Sequence, residues 1–315
     1  MRALVALGGN AMTGPGGSAT PVDQDRAIAE AMEHVADLVA AGIDVVLTHG
    51  NGPQVGNLLV KNELSARVVP PVPLDWCGAQ TQGSIGFLIL DALDHALARR
   101  QVERRAATVV TRTLVDPHDP GFTKPTKPIG RYLPADEAKA LIAHGQSWED
   151  RGEKGWRRMV ASPRPLEIVD APAIATLVEV GFVVVGSGGG GIPVVRDEKG
   201  LLHGVEAVID KDLAAELLAR TIAADVLVIA TDVDNAILAY GTPDARPIGR
   251  VTAAEMRAYA AAGHFASGSM GPKVEAAVRF VEQGGMRSAI TSLQRITDAV
   301  HGQAGTVIER SGAST

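Results

Sequence analysis

Two lysines of the sequence stand where an ammonium group is unfavourable unless an anion binds beside it. In "GVEAVIDKDLAAELL", Asp210 is predicted to cap a helix, which places Lys211 and Asp212 in the first helical turn. In "GSMGPKVEAAVRFV", a glycine caps the helix, a proline begins it and Lys273 follows in the first turn. A cation at a helix N-terminus opposes the helix dipole at a cost of about 0.3–1 kcal/mol. One exposed lysine tolerates this cost, but two such lysines indicate a bound polyanion such as phosphate.

A further pair of candidate cations lies in "GFTKPTKPIG", residues 121–130. The segment contains two lysines, and each is followed by a proline. Proline is incompatible with a helix interior or a central strand, and it biases the preceding residue towards extended conformations. The pattern predicts that Lys124 and Lys127 lie on a stiff, exposed loop and present their ammonium groups to an anion.

Three glycine-rich turns supply the other half of a possible anion site. They are "LGGNA" (7–11), "HGNGPQVG" (49–56) and "GSGGGGIP" (186–193), and each follows a predicted strand. Ligands of open α/β sheets bind at the carboxyl ends of strands, and glycine lets backbone N–H groups approach an anion closely. In the second turn, Asn51 or Gly52 can cap a helix that starts at Pro53. A single turn of this kind is ordinary, but three of them predict a phosphate-binding edge.

Two familiar nucleotide-binding motifs do not account for these turns. Gly186, Gly188 and Gly191 match the spacing GxGxxG, but that motif requires a helix immediately afterwards. The residues that follow, "IPVVRDEKG", indicate a strand and a turn. The spacing GxxxxGK[ST] does not occur in the sequence. A dinucleotide fingerprint and a Walker-type phosphate loop are therefore both excluded.

Short apolar runs alternate with amphipathic helical patterns, and this alternation must position the turns and the lysines. The runs predict strands at 2–7, 43–49, 106–115, 182–186, 225–231 and 287–291. Helical patterns lie between them, and the first begins at about Pro21. Strands that are apolar throughout and separated by helices indicate an α/β fold with a largely parallel sheet covered on both faces.

Residues from about 116 to 165 interrupt this alternation. They are rich in proline, glycine and basic residues and contain only one short helical pattern. This composition predicts a small excursion from the sheet, which Trp156 would anchor. Further along, "VVRDEKGLLHGV" (194–205) predicts a hairpin around Glu198–Gly200.

The overall composition argues against several classes of protein. The 315 residues carry a net charge of −6, and 46% of them are hydrophobic. The mild acidity disfavours a dedicated nucleic-acid binder or a protein of anionic membranes. The single cysteine, Cys77, precludes an intrachain disulfide, and no apolar run approaches the ~20 residues that span a bilayer. Because no signal pattern precedes "RALVAL", we expect a cytoplasmic protein.

The sequence shows no candidate general base beside the candidate cations. This absence limits the kinds of acceptor to which a phosphoryl group could be transferred. Phosphoryl transfer depends mainly on positioning and charge neutralisation. A hydroxyl acceptor needs a base to remove its proton, whereas a carboxylate or carbamate oxygen is already anionic. Lysines and backbone N–H groups are then sufficient to stabilise the transferring group.

Other polar residues give weaker signals. Asp232 and Asp234 in "TDVDN" end a predicted strand, where they either lie near a nucleotide or Mg²⁺ or simply cap the loop. His49 and His264 have no partner at the spacing of metal ligands. Both histidines and Cys77 are therefore predicted to be packed rather than reactive.

Seven motifs, taken together, resemble those of the carbamate kinases, a family within the amino acid kinase superfamily. They are "ALGGNA", "HGNGPQVG", "PTKPIG", "GWRRMVASPRP", "GGGGIPV", "AVIDKDLA" and "GHFASGSMGPKVEAA", in that family's order, from about residue 3 to 292. "PTKPIG" and "GPKVEA" together distinguish carbamate kinases from other kinases of the superfamily. The resemblance implies the amino acid kinase fold: a three-layer αβα sandwich with a mainly parallel central sheet and a small protruding subdomain at about 117–165.

The same resemblance implies the organisation and the reaction. An acceptor-binding lobe would span residues 1–222 and a nucleotide-binding lobe residues 223–315, in a homodimer. The reaction would be the reversible transfer of a phosphoryl group between ATP and carbamate, with Mg²⁺, to give ADP and carbamoyl phosphate. The partners would be these small molecules, without nucleic acid or membrane. Arginine or allantoin breakdown and, in the reverse direction, biosynthesis all stay open as pathways.

The resemblance also implies roles for individual residues of this sequence at the positions where its motifs match those of the carbamate kinases. The catalytic residues would be Lys127, Lys211 and Lys273, with Asp212 to orient the ammonium groups. The substrate-binding residues would be Gly8, Gly9, Asn10, Gly50, Asn51 and Gly52. The nucleotide would contact Gly189, Gly190, Thr231, Met270 and Gly271. No residue is implied as a protein ligand of a metal.

The sequence departs from the family pattern at three places, and none removes a charged site residue. These are "TQGSIGF" (81–87), Ala161 where proline is expected, and the glycine-rich first loop. Two alternatives remain: a kinase of the same fold that acts on another small carboxylate or a phosphonate, and a non-catalytic nucleotide or metabolite sensor. Turnover measured with a panel of acceptors would distinguish a carbamate kinase from a kinase that acts on another acceptor. Nucleotide binding without turnover would indicate a sensor.

Overall fold

The computed structural model describes residues 1–14, 17–265 and 270–310, apart from the side chain of Asn10. The strands are β1 (Arg2–Leu7), β2 (Asp44–His49), β3 (Ala106–Thr108), β4 (Arg112–Val115), β5 (Lys127–Leu133), β6 (Ser147–Asp150), β7 (Trp156–Val160), β8 (Pro165–Ile168), β9 (Val183–Val185), β10 (Ile192–Arg196), β11 (Leu202–Gly204), β12 (Val226–Thr231), β13 (Ile237–Leu238), β14 (Arg246–Pro247), β15 (Arg250–Thr252), β16 (Arg287–Ser292) and β17 (Thr306–Glu309). The helices are α1 (Pro21–Ala40), α2 (Gly52–Ser65), α3 (Leu74–Arg99), α4 (Pro120–Thr123), α5 (Ala135–Ala143), α6 (Ala171–Glu179), α7 (Lys211–Thr221), α8 (Ala253–Ala261), α9 (Met270–Glu282) and α10 (Ile296–Val300).

An eight-stranded sheet organises the molecule, in the strand order β15-β17-β16-β12-β1-β2-β9-β3. All neighbouring strands in it are parallel except the antiparallel pair β16–β17. The strands at its centre are almost entirely buried, as expected for a parallel sheet with helices on both faces. The prediction of a mainly parallel central sheet is confirmed.

Alternate residues of β1 belong to different hydrophobic cores, one on each face of the sheet. Leu4 and Ala6 pack with helices α6 to α9, whereas Val5 and Leu7 pack with α1, α3 and α10. This follows from the strand geometry, in which successive side chains point to opposite faces. The result is the three-layer αβα sandwich that the motifs implied.

The apolar run at 106–115 is a case where the strand prediction was wrong in detail. It forms two strands in different sheets: β3 at the edge of the main sheet, and β4 in a four-stranded sheet with the order β11-β10-β4-β8. Between them, the side chain of Gln82 accepts a hydrogen bond from Thr111 N at 2.8 Å and donates one to Thr111 O at 3.1 Å. A side chain from α3 thus replaces a neighbouring strand at this point, and the chain leaves the first sheet. The hairpin predicted at 194–205 is confirmed as β10–β11.

The predicted excursion is a separate antiparallel sheet, β5-β7-β6, which contacts helix α5. We call residues 127–160 the arm. Lys127 does not lie on a loop, as predicted, but begins β5, and Pro128 is accommodated because β5 is an edge strand. A small hydrophobic cluster joins the arm to α2 and α3 through Val55, Leu59, Leu74, Cys77, Ile129 and Val160.

Helix starts decide where the site residues lie. Asp210 caps α7 as predicted, and its side chain accepts hydrogen bonds from two backbone N–H groups of the first turn. Helix α9 begins at Met270, one residue before the predicted cap, so that Lys273 still lies in the first turn. Across the parts of the chain that the structure describes, no helix is both long and apolar enough to cross a bilayer.

Candidate active site

The centre of the site is a carboxylate shared by two ammonium groups. Lys211 Nζ donates to Asp212 Oδ1 at 2.6 Å, and Lys273 Nζ donates to Asp212 Oδ2 at 3.0 Å. The side chains of Asp212 and Lys273 are only 4% and 7% exposed, and that of Lys211 is 17% exposed. The N-termini of α7 and α9 therefore bring together the residues that the sequence placed 61 positions apart.

Burial and charge determine the protonation of this cluster. Burial raises the pKa of the Asp212 carboxyl, but the neighbouring Lys211 and Lys273 ammonium groups outweigh this effect and hold the pKa below its usual range. Burial lowers the pKa of Lys211, and the attraction of Asp212 only partly opposes this. Two cations on one anion leave one positive charge uncompensated, so a bound phosphate is favoured here.

A large cavity of about 1070 Å³ opens beside these lysines. From the glycine turns and the lysine cluster it is lined by Gly8, Gly9, Lys211 and Lys273, and Thr231 at the end of β12 also lines it. It also includes residues that the sequence interpretation missed: Arg26 and Glu30 of α1, Ser292 at the end of β16, and Leu293 and Gln294 after it. The last three lie at a strand end on the same edge of the sheet as the first two glycine turns, and this strand end was the signal that the sequence offered. A cavity of this size is large enough for a nucleotide.

A much smaller cavity, of about 60 Å³, lies between the glycine turns and the arm. Asn51, Gly52 and Gly189 line it from the glycine turns, and Pro128 and Arg157 line it from the arm. Asn51 is held in place because its Nδ2 donates to Thr81 Oγ1 at 2.9 Å. The small size suits a small acceptor.

The first two glycine turns touch each other and contribute to different cavities. A β-carbon on Gly50 would lie 3.2 Å from Gly9 Cα and 3.6 Å from Lys211 Cδ, so a larger residue would push the two turns slightly apart. Gly9 and Lys211 line the large cavity, and Gly50 is followed directly by Asn51 and Gly52 of the small one. The glycine turns at the strand ends thus supply wall residues to both a large and a small cavity.

An ion pair links the arm to the start of helix α7. Lys127 Nζ lies 2.9 Å from Asp210 Oδ2, while Asp210 Oδ1 caps α7 by accepting from Asp212 N at 3.0 Å and from Leu213 N at 3.3 Å. Sequence interpretation assigned Asp210 only the capping role. A helix cap uses only one oxygen of the aspartate carboxylate. The other oxygen of Asp210 was therefore available for a second partner, and this was the signal in the sequence.

The amino acid kinase family model matches residues 1–292. The chain belongs to the amino acid kinase family. A carbamate kinase of Thermococcus kodakarensis is 48% identical over 98% of this chain and 99% of its own length, and a carbamate kinase-like protein of Escherichia coli is 46% identical over 97% and 98%. A solved carbamate kinase from Giardia lamblia, bound to AMP-PNP, has a TM-score of 0.93 and 44% identity and covers 98% of both chains. These similarities confirm the resemblance to carbamate kinases that the motifs indicated.

Other predicted site residues of this amino acid kinase chain lie further from the lysine cluster. Gly189 lies against the amide of Asn51, in the small cavity, and Gly190 lies against Ile209 O, next to Asp210. Met270 and Gly271 form the first turn of α9, and Gly271 lines a separate groove between α8 and α9. Asn10 lies in a short 3₁₀ helix after β1, and its side chain is outside the described part of the structure.

His49, at the end of β2, is a packed residue, as predicted. Its side chain is 1% exposed, and Nδ1 donates to Gly50 O at 3.0 Å. Burial lowers its pKa from 6.5 to about 4, so the imidazole is neutral at physiological pH. Cys77 is also buried, within α3. A neutral His49 fits under the third glycine turn without adding another cation to the site.

Proposed function

We propose that the chain catalyses the reversible transfer of a phosphoryl group between ATP and carbamate, giving ADP and carbamoyl phosphate. The observation that carries this proposal is the cluster in which Asp212 holds Lys211 and Lys273 in the wall of the large cavity, beside the first two glycine turns. The similarity to carbamate kinases over nearly the whole chain supports the identity of both substrates.

The reaction follows from the positions of the charges. An oxygen of carbamate is already anionic, so it attacks the γ-phosphorus of ATP without a base, and the bond from the γ-phosphorus to the β-phosphate oxygen breaks. Lys211 and Lys273 neutralise the charge of the transferring group and of the leaving ADP, and Asp212 keeps their ammonium groups in place. Lys127 approaches the same group from the acceptor side.

The predicted binding residues fit this division of the site. Gly8, Gly9, Asn10 and Gly50 would contact the transferring phosphoryl group through the backbone, and Asn51 and Gly52 would contact the acceptor. Thr231, Met270 and Gly271 would border the nucleotide. Gly189 and Gly190 were predicted to line phosphates. Gly189 lies beside Asn51 and Gly190 lies against Ile209, next to Asp210, so the transferring phosphoryl group is the phosphate they would contact.

Magnesium would enter with the nucleotide. Within residues 1–14, 17–265 and 270–310, no group of three or more His, Cys, Asp or Glu side chains is able to hold a metal ion. Mg²⁺ is commonly held by substrate phosphates and one or two carboxylates, and Asp232, which lines the large cavity at the end of β12, is a candidate. When bound, the ion would supply further neutralisation of the phosphate charge.

We also propose that the chain is a cytoplasmic protein, that it forms a homodimer as the motifs implied, and that it acts in arginine metabolism, which is one of the pathways that the resemblance left open. Support for self-association comes from large apolar side chains that are strongly exposed between residues 64 and 87, namely Leu64, Val68, Val69, Trp76 and Phe87. The proposed lobes, 1–222 and 223–315, coincide with two halves of the main sheet, since β15, β17, β16 and β12 all come from the second. Light scattering of the purified chain tests the dimer.

The first test is ATP formation from ADP, Mg²⁺ and carbamoyl phosphate, followed with a coupled luminescent assay. Rapid ATP production that is lost in Lys211→Ala is the expected result. A folded, nucleotide-binding sample that makes no ATP would contradict the proposal. Turnover with another acyl phosphate or a phosphonate would then indicate a different acceptor, and binding without any turnover would indicate a sensor.

A further inference from the structure

Arg157 is a cation at the acceptor side of the site whose role neither the motif carry-over nor the lysine cluster explains. It lies on β7 of the arm and lines the small cavity together with Asn51, Gly52, Pro128 and Gly189. The other polar lining groups of this cavity are backbone atoms and the Asn51 amide, which carry no net charge. Arg157 is therefore the positively charged side chain that the described structure places on the small compartment.

The guanidinium is held in position but incompletely paired. One of its terminal nitrogens, Nη1, donates to Tyr132 Oη at 3.2 Å, and its Cζ lies 4.9 Å from the centre of the Tyr132 ring. Arg157 Nε is buried and has no hydrogen-bond partner among the residues that the structure describes. A buried, unpaired N–H of a charged group is costly, and such a group in a native structure indicates a missing partner.

We infer that Arg157 binds the carboxylate of the acceptor and selects for a small planar anion. This inference rests on the proposed function and extends it to the choice of acceptor. The planar guanidinium presents N–H donors in a fork that matches two carboxylate oxygens, and Nε is one of these donors. Tyr132, Asn51 and Pro128 fix the fork and limit the space, so that a carbamate fits whereas a longer acid is excluded.

The inference gives Arg157 a role in the direction that forms ATP. There, an oxygen of ADP attacks the phosphorus of carbamoyl phosphate, the bond from phosphorus to the carbamate oxygen breaks, and the electron pair of that bond stays on the carbamate. The new negative charge is shared by both oxygens of the carboxylate. A guanidinium bound to these oxygens stabilises that charge as it forms, and no proton is transferred.

Arg157→Met tests this role, with Arg151→Met as the matched control. Arg151 belongs to the arm, forms an ion pair with Glu149 and lines neither cavity, so its substitution removes the same charge from the arm without changing the small compartment. For Arg157→Met we expect kcat/KM for carbamoyl phosphate to fall about 10- to 100-fold, the range for a charged hydrogen-bonding group. KM for ADP should stay within about twofold in both variants, because the nucleotide occupies the other cavity. Arg157→Lys keeps the positive charge but loses the forked pair of N–H donors, so its kcat/KM for carbamoyl phosphate should lie between the values of the wild type and Arg157→Met.

Equal losses in the Arg157 and Arg151 variants, or an equal rise of KM for ADP and for carbamoyl phosphate, would overturn the inference. Calorimetric measurement of carbamoyl phosphate binding tests the inference about Arg157 independently of the proposed function. If the wild-type chain binds this ligand without turnover and Arg157→Met does not bind it, the inference stands while the proposed function fails. Binding of similar strength in both chains, or no binding by the wild type, would overturn the inference. Thermal unfolding of each variant confirms that it is folded.

Discussion

Lys127 and Asp210 form an ion pair of 2.9 Å between the first residue of the arm and the N-cap of helix α7. Because Asp210 directly precedes Lys211 and Asp212, the pair places the Lys127 ammonium group beside the lysine cluster. The lysine of the arm is thus held by a carboxylate that also starts the helix on which the cluster is built.

Removal of the Lys127 ammonium group should affect turnover and spare the nucleotide. We expect Lys127→Ala to lower kcat by about 10²–10³, comparable to the loss of one group that stabilises a transition-state charge. The affinity for ADP should change little, because Lys127 does not line the large cavity. Lys124→Ala, an exposed lysine just before the arm, is the control and should behave as the wild type. Parallel losses of turnover and of ADP affinity would show that the arm is structural instead.

The two roles of Asp210 are separable by substitution. Asparagine caps helices about as well as aspartate, so Asp210→Asn should keep a free energy of unfolding close to that of the wild type. Asp210→Ala loses the cap of α7 and should be less stable by about 1 kcal/mol. Urea unfolding measures both values. If the two variants were destabilised equally, the ion pair with Lys127 rather than the cap would be the stabilising contact.

The lowered pKa of Lys211 predicts a specific pH dependence. In the free enzyme, the ammonium group should lose its proton below its ordinary pKa of 10.5, so kcat/KM for ADP should fall on the alkaline side below that value. Bound phosphates favour the ammonium form and raise the pKa again. The alkaline fall of kcat should therefore lie at higher pH than that of kcat/KM. Profiles that coincide would mean that Lys211 does not sense the bound nucleotide.

His49 should make the fold sensitive to acid. Its pKa is about 4 in the folded chain against 6.5 as the ordinary value, so between these pH values the unfolded chain binds the extra proton. The free energy of unfolding should therefore decrease as the pH falls from about 6.5 to 4, by a total of about 3 kcal/mol from this group. His49→Asn retains a donor for Gly50 O and should show a shallower decrease, whereas His95→Asn, an exposed control on α3, should not. Urea unfolding at several pH values decides between them.

Local sequence patterns were sufficient for most of the fold and for the lysine cluster. The apolar runs located β1, β2, β12 and β16 because strands buried on both faces carry a continuous apolar signal. The cluster was foreseen from Lys211 and Lys273, since a cation in the first turn of a helix contradicts the dipole and demands an anion. In both cases the information lies within a few residues of the chain.

The contacts that sequence interpretation missed are those that depend on tertiary packing. Lys127 and Asp210 are 83 positions apart, and no local pattern relates them. Their meeting requires the arm to dock on α2 and α3 through residues such as Ile129 and Val160. Arg157 was passed over for the same reason, since its neighbour Asn51 belongs to a different part of the chain. The splitting of 106–115 into two strands likewise depends on Gln82 of α3.

The walls of the two cavities have different origins, and this bears on the order of events during a catalytic cycle. The small cavity has Pro128, Ile129 and Arg157 of the arm in its wall, whereas the residues that line the large cavity lie outside residues 127–160. The small cavity is therefore complete only when the arm is docked, whereas the wall of the large cavity needs no residue of the arm. In the proposed reaction a nucleotide would thus meet a compartment that is already formed, and docking of the arm would form the compartment for the acceptor.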